Sequence, residues 1–365
     1  MAGKSRRKRG GSGGHRLEDV ARLAGVSPIT VSRTLNKPEA VSELTRAAVR
    51  KAVERVGYVP NRLAGGLASN KSKSIGVVLP SITNPAFAER VQGMTDVLLP
   101  AGYNLLLGLS GNSTEAELQH VMAFLGQRIA ALALTGTQHA ERTRRLIAQA
   151  GIPVVEIPVI SGRLIDMAVG YSNEAASYAM VKHLARFGYR RVAFLSANVA
   201  SNQLLQERLK GYRQAVADLG LDSDPALIAE ATFSPASSAS AFVELLARRP
   251  DLEAVFCTSD LQAIGCALEA KRRGIRVPED IGIAGYDDVE LAQEFVPTLS
   301  SVRFDRYEMG RTASRLLLAR IQGEMPEQTV IDVGFEIMAR SSTKRPAHRG
   351  RTGKRVRPTA GSCRG

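Results

Sequence analysis

Between Leu17 and Ala24 the apolar residues Leu17, Val20, Ala21 and Ala24 fall at i, i+3, i+4 and i+7, which predicts a short amphipathic helix. Gly25 stops it. Ser27 stands where it can cap a second helix, and Pro28 sits in that helix's first turn, where a missing N–H costs nothing. The second helix is predicted over Ser27 to Leu35, and two short helices joined by so tight a turn form a helix-turn-helix. Asn36, Lys37 and Pro38 break the pattern, and Ser42 opens a third helix whose Val49, Ala52, Val53 and Val56 repeat the stripe. The order of residue types separates this arrangement from three arbitrary helices. Small Ala21 permits close approach, Gly25 permits the turn, and Val31 faces inward while Thr30, Ser32 and Arg33 are left to face DNA.

From Ser74 the rhythm changes. Short apolar runs recur at Ile75 to Leu79, Leu105 to Leu109, Ala130 to Thr135, Val154 to Ile157, Val192 to Leu195, Ala254 to Cys257 and Ile281 to Gly285. Helical spacing separates them, the first helix being predicted over Phe87 to Leu99. Such βαβ alternation implies parallel sheets covered by helices on both faces. About 270 residues of it exceed what one sheet usually needs, so two doubly wound parallel-sheet subdomains with a ligand cleft between them are expected.

The formal net charge of +14 suggests a basic fold until it is located along the chain. Residues 1–16 carry Lys4, Arg6, Arg7, Lys8, Arg9 and Arg16, and residues 344–365 carry eight more Lys and Arg; neither segment has an acidic residue. The folded body between them is therefore formally neutral. The tails, 1–15 and 344–365, hold Gly, Ser and Pro in place of core-forming residues and are expected to be disordered, serving either attraction to phosphate or plain solubility. Cys257, Cys266 and Cys363 form neither a disulfide framework nor a zinc quartet. No apolar run approaches a membrane span or an export signal, so a cytoplasmic location without membrane association is expected. An enzyme on the same core is the main alternative class, but G-x-G-x-x-G, Walker and H-E-x-x-H motifs are missing and the five histidines are scattered. No cofactor, metal or catalytic residue is expected. An export signal and the lack of a helix-turn-helix would mark a solute-binding protein instead.

The run Leu17-Glu-Asp-Val-Ala-Arg-Leu-Ala-Gly-Val-Ser-Pro-Ile-Thr-Val-Ser-Arg33, with Val41-Ser-Glu-Leu-Thr-Arg46 and Gly57-Tyr-Val-Pro-Asn-Arg62, resembles the DNA-binding domain of the lactose/galactose repressor family. The likeness continues through Arg208-Leu-Lys-Gly-Tyr212, Thr258-Ser-Asp260, Val277-Pro-Glu-Asp-Ile281 and Gly285-Tyr-Asp-Asp288 to about residue 343. It implies an all-α helix-turn-helix domain (16–61), a hinge helix (62–73) and an α/β periplasmic-binding-protein-like core (74–343). Within the family, Pro80-Ser-Ile-Thr-Asn-Pro85, Phe87-Ala-Glu89 and Asp332-Val-Gly-Phe335 look most like gluconate-utilisation repressors, whereas Asp287 departs from that subgroup.

The resemblance implies that the second helix enters the major groove of a pseudo-palindromic operator N-terminus first, presenting Pro28 and Ile29 to base edges. Arg33 is the one strong polar base reader, with a phosphate contact as its plainer alternative. Ser27, Thr30, Ser32 and Asn36 complete the candidate set on that helix. In the hinge, Asn61, Arg62 and Ala64 accompany Leu67, which takes the place of the family's minor-groove wedge. Gly65 and Gly66 weaken that helix, so the hinge is expected to order only when dimer and DNA supply contacts. By the same resemblance the effector lies between the subdomains against Arg208 and Asp287, with Ser81, Asn84, Tyr171 and Ser259 as further candidates. An arginine clamp and a carboxylate acceptor suit gluconate or a related sugar acid, and phosphorylated sugars also fit. The implied outcome is a repressor released by its ligand, although the family also contains corepressor-dependent members. The C-terminal tail lacks leucine heptads, so a homodimer is expected.

Overall fold

The computed structural model describes residues 17–58, 72–200 and 202–345, apart from the Asn36 side chain. The chain forms two compact units, Met1–Ser72 and Lys73–Gly365. The expected hinge lies outside the described residues up to residue 71, with Asn61, Arg62, Ala64 and Leu67, as do residues 1–16 and 346–365.

The first unit contains α1 (Leu17–Ala24), α2 (Pro28–Asn36) and α3 (Glu43–Val56). Val20, Ala21, Val31, Val49 and Ala52 close its core. Caps fix where α2 and α3 begin. The Ser27 hydroxyl accepts the Thr30 N–H at 3.1 Å, and the Ser42 hydroxyl accepts that of Thr45 at 3.4 Å.

In the second unit, β1 (Ser74–Leu79), β2 (Asn104–Leu109), β3 (Ala131–Thr135), β4 (Val154–Ile157) and β5 (Met167–Gly170) pair in parallel. Between them run α4 (Pro85–Leu98), α5 (Thr114–Gly126) and α6 (Glu141–Ala150). After α7 (Asn173–Arg186) a second parallel sheet follows, built from β6 (Val192–Ser196), β7 (Ile228–Glu230), β8 (Ala254–Cys257) and β9 (Gly282–Ala284) in the order β7-β6-β8-β9. Its helices are α8 (Gln203–Asp218), α9 (Pro235–Arg248), α10 (Asp260–Arg272) and the short α11 (Glu290–Glu294).

The remaining elements depart from a simple succession of two halves. After β10 (Ser301–Arg303) the chain returns to the first subdomain as α12 (Arg306–Gln322) and β11 (Val330–Asp332), giving a first sheet ordered β11-β5-β4-β3-β1-β2. It then crosses back as β12 (Glu336–Met338), antiparallel to β10. Helices α4 and α12 lie so close that a Cβ on Gly93 or Gly310 would meet opposing backbone oxygen at 2.1 Å. Strands β5, β7 and β10 to β12 were not expected from the sequence; β7 and β10 to β12 are three residues long with at most two of them buried, too little for a periodicity to register. Helix α4 begins two residues before its predicted start, since the Asn84 side chain accepts the Ala86 N–H at 2.9 Å and Pro85 fills the first turn.

The expected C-terminal tail also starts too early at 344. The Arg345 guanidinium lies 4.7 Å from the Tyr189 ring centre and 3.7 Å from the Glu253 carboxylate, so Lys344 and Arg345 continue the fold. Cys257 at the end of β8 and Cys266 on α10, nine residues on, bring their free thiols to 3.8 Å in the core of the second subdomain.

Behind β3, buried His139 is held at both ring nitrogens. Nδ1 lies 2.9 and 3.0 Å from the Glu117 carboxylate oxygens, and Nε2 lies 3.2 Å from Glu156. Burial opposes the charged ring, but two carboxylate partners outweigh it and push the pKa up to about 9. A folded value above the unfolded 6.5 means stabilisation that is complete below about pH 6.5 and is lost as pH rises through 9. The protein is therefore expected to lose on the order of 3 kcal/mol from this group between pH 6.5 and 9.5. Thermal melting across that range should show a decline that His139→Gln lacks; parallel profiles would remove the buried imidazolium.

Candidate functional site

In the first unit, α2 presents its N-terminal end as an exposed surface. Ser27, Pro28 and Arg33 are exposed, Thr30 and Ser32 are half-buried, and Ile29 is 72% exposed. A single exposed apolar side chain is ordinary on a protein surface, so Ile29 carries weight only together with the polar and cationic groups beside it. Thr34, in contrast, turns inward and donates to the Thr30 carbonyl at 2.8 Å. The helix therefore separates into a packed face through Val31 and Thr34 and an open face carrying apolar and cationic groups, the mixture suited to a major groove.

In the second unit a cavity of about 230 Å³ lies between the two subdomains. Its position follows from strand order. In the first sheet β1 is flanked by β2 and β3, and in the second β6 is flanked by β7 and β8, so each sheet reverses direction of build there. Crevices open at such points beyond the carboxyl ends of the strands. Pro80 after β1, Gly111 and Asn112 after β2, and Pro158 after β4 supply one wall. Asn202, Leu204, Leu205 and Arg208 of the segment after β6, with Phe233, Thr258 and Asp287 after β7, β8 and β9, supply the other.

Arg208 is 7% exposed, which excludes a surface helix charge. Its Nε donates to Asn173 Oδ1 at 2.9 Å, Nη1 to the Thr258 carbonyl at 2.7 Å and Nη2 to the Tyr171 hydroxyl at 3.4 Å. The guanidinium also stacks 3.6 Å from the Tyr286 ring centre. Asp287 accepts the Asn84 amide at 3.0 Å. Its burial raises the carboxyl pKa above the ordinary value, while the Arg208 charge and the Asn84 hydrogen bond pull the other way. The backbone at Asp287 has φ +104°, a conformation that strains any residue with a side chain.

Of the six effector candidates, Ser81, Asn84, Arg208 and Asp287 line this cavity together. Tyr171 and Ser259 do not. Tyr171 lies behind the wall, its ring 4.3 Å from that of Phe304, which does line the cavity. Ser259 is a buried cap whose hydroxyl accepts the Gln262 N–H, and its neighbour Thr258 reaches the cavity instead. The sequence reading missed Phe87, Arg90, Phe233 and Phe304 in the lining. For Arg90 a signal was present: Phe87, Val91, Met94 and Leu98 form the inward stripe of α4, and Arg90 falls three residues after Phe87, inside that stripe.

A helix-turn-helix unit carried in one chain with a doubly wound unit that holds a small-molecule cavity defines a DNA-binding transcription regulator. Comparison with known proteins agrees. Residues 16–61 match the model of the bacterial regulatory proteins of the lacI family, and residues 181–343 that of the periplasmic binding protein-like domain. The regulator GntR of Escherichia coli K12 is 38% identical over 88% of this chain and 96% of its own. A LacI-family regulator from Silicibacter pomeroyi superposes with a TM-score of 0.85 at 31% identity, over 91% of this chain and all of that one. The lac repressor dimer, solved with its operator, gives 0.78 at 25% identity over 91% and 99%. The chain belongs to the lacI family of bacterial regulatory proteins, which sets it among regulators and not enzymes.

Among the described residues no helix is long and apolar enough to cross a membrane, and no cluster of His, Cys, Asp or Glu is arranged to hold a metal.

Because three donors of Arg208 satisfy protein acceptors from β5, β8 and their flanks, Arg208→Ala should cost the core at least about 2 kcal/mol even without a ligand. Denaturant unfolding of the two proteins measures this; equal midpoints would mean that the network carries no stability.

Proposed function

We propose that the protein is a repressor that binds a pseudo-palindromic operator as a homodimer and is released from it by a small sugar acid, gluconate being the first compound to test. The observation that carries this reading is that two cations, Arg90 and Arg208, and the carboxylate of Asp287 line one cavity. A cation suits a carboxylate, and a buried carboxylate that has one donor among the described residues, Asn84, has acceptor capacity left for hydroxyls. Phe87, Phe233 and Phe304 add the apolar surface on which a sugar's C–H faces pack. At about 230 Å³ the cavity is smaller than the roughly 300–1,000 Å³ of drug-sized sites, which favours a monosaccharide-sized ligand. The likeness to GntR over most of both chains supports the same choice. Release follows if the ligand favours one arrangement of the subdomains, since the coupling between ligand and operator is then reciprocal.

On the DNA side, Arg33 reads a guanine in each half-site, Ile29 and Pro28 make apolar contact with base edges, and Thr30, Ser32 and Ser27 hold phosphates. Arg33→Ala is expected to relax preference at one base per half-site by about 1–3 kcal/mol while the other positions keep theirs. Binding to a panel of single-base operator variants at fixed salt decides it, because equal weakening across the panel would make Arg33 a phosphate contact.

For the ligand, gluconate at a hundredfold excess over its Kd should stabilise the protein by about 2.7 kcal/mol and release an operator fragment. Asp287→Gly offers a clean variant, since glycine accepts φ +104° without strain and the fold should survive the loss of the carboxylate. It should melt no lower than the parent and fail to respond to gluconate. A normal response in that variant would take Asp287 out of the site.

A further inference from the structure

Arg90 is the least explained charge in the molecule. It stands on α4, 3% exposed, with its carbonyl side pressed against Gly310 of α12 and its side chain in the cavity wall. Its Nε and Nη1 are buried without a hydrogen-bond partner. The Phe87 ring lies 5.4 Å from the guanidinium carbon, and the Tyr171 hydroxyl and Asp287 carboxylate favour its charge without hydrogen-bonding those two nitrogens. Burial lowers the pKa to about 10, so the group still carries its charge at neutral pH. Charged buried donors left unpaired are among the costlier features a fold can hold. Arg208 is in the opposite condition, with Nε, Nη1 and Nη2 each already donating within the protein and its face on Tyr286.

We propose that Arg90 is the anion-recognising residue of the effector site, the group that separates an acidic or phosphorylated sugar from its neutral counterpart, while Arg208 chiefly builds the wall. The inference rests on the sugar-acid reading above and names the residue behind its acid preference. Asp287, from the facing wall, then takes the ligand's hydroxyls, so the two open valences of the cavity sit on opposite subdomains. A ligand with an anionic end and a hydroxyl chain bridges them, and a neutral sugar leaves Arg90 unsatisfied. The shared chemistry is a compact oxyanion, carboxylate or phosphate.

The test compares the full-length protein with Arg90→Leu and Arg90→Lys, using gluconate, glucose 6-phosphate and glucose as probes in calorimetric titration and thermal melting. Arg90→Leu should keep the ligand-free fold, because leucine suits a position flanked by apolar residues, Nε and Nη1 of the arginine bond nothing, and Arg208 and Arg306 still face the Asp287 carboxylate. It should weaken whichever anionic probe the parent binds by about 10- to 100-fold, the usual effect of losing a charge-assisted hydrogen bond. Arg90→Lys should recover part of that loss, which a purely structural role would not produce. If the parent answers to glucose 6-phosphate and not gluconate, the sugar-acid proposal fails while loss of that response in Arg90→Leu upholds the anion site. If the parent binds an anion and Arg90→Leu binds it equally well, or if Arg90→Leu melts lower and keeps its affinity, the assignment to Arg90 is overturned. If only glucose shifts the parent, both readings fall.

Discussion

The core of the second unit is organised around one buried cation. Arg208, on α8 after the second sheet's first strand, reaches Asn173 and Tyr171 beyond β5 of the first sheet, Thr258 beyond β8, and the Tyr286 ring beyond β9. A guanidinium removed from water is tolerable only with such partners. Satisfying it fixes the carboxyl ends of strands from both subdomains relative to one another, and those ends are what form the cavity. Asn173 extends the set by accepting the Tyr286 hydroxyl at 3.3 Å and donating to the Pro158 carbonyl at 3.3 Å. The wall is thus a hydrogen-bonded lattice before any ligand arrives, and the cavity inherits its shape from it.

Two arginines in the same wall illustrate how burial alone does not define a role. Arg208 and Arg90 are similarly hidden from solvent, but one has its donors engaged and the other does not. The contrast follows from backbone position. Arg208 enters from a helix aimed along the strand ends, where carbonyls and side-chain amides are plentiful. Arg90 rises from a helix face that is otherwise apolar and is pressed from behind by α12, so its own subdomain offers it the Phe87 ring and the nearby Tyr171 but no acceptor for Nε or Nη1 among the described residues. Fold-level pressure would place a leucine there.

Much of this was legible in the residues. The helix-turn-helix was written in the spacing of Val20, Ala21 and Ala24 and in Ser27 followed by Pro28, because local caps and stripes act over a few residues and need no distant partner. Strands such as β1, β6 and β8, which are apolar runs buried on both faces, were found for the same reason. The order in which the chain uses its subdomains was not legible. Strand β11 joins the first sheet from more than 150 residues downstream, and nothing in Val330 to Asp332 announces which edge it will extend. Arg208 and Asp287 entered the reading through family likeness, and the structure adds the reason they belong together. Tyr171 and Ser259, chosen with them, proved to support the wall, since a residue next to a strand end points either into the crevice or back into the core by a single step of backbone. Arg90 was overlooked because a cation within an apolar stripe looks like an interruption until its surroundings are seen.

The pair Asp287-Asp288 joins two jobs across one peptide bond. Asp287 faces the cavity, while Asp288, its side chain fully buried, holds Arg303 of β10 and Arg340 beyond β12. Those two arginines sit on the very segments by which the chain leaves the second subdomain and later returns to it. Both aspartates have positive φ, so neither can rotate freely to absorb a displacement of the other. A displacement of Asp287 is therefore passed to the fastening of the crossover strands, and the cavity wall and the pivot of the core are, in mechanical terms, a single rigid lever two residues long.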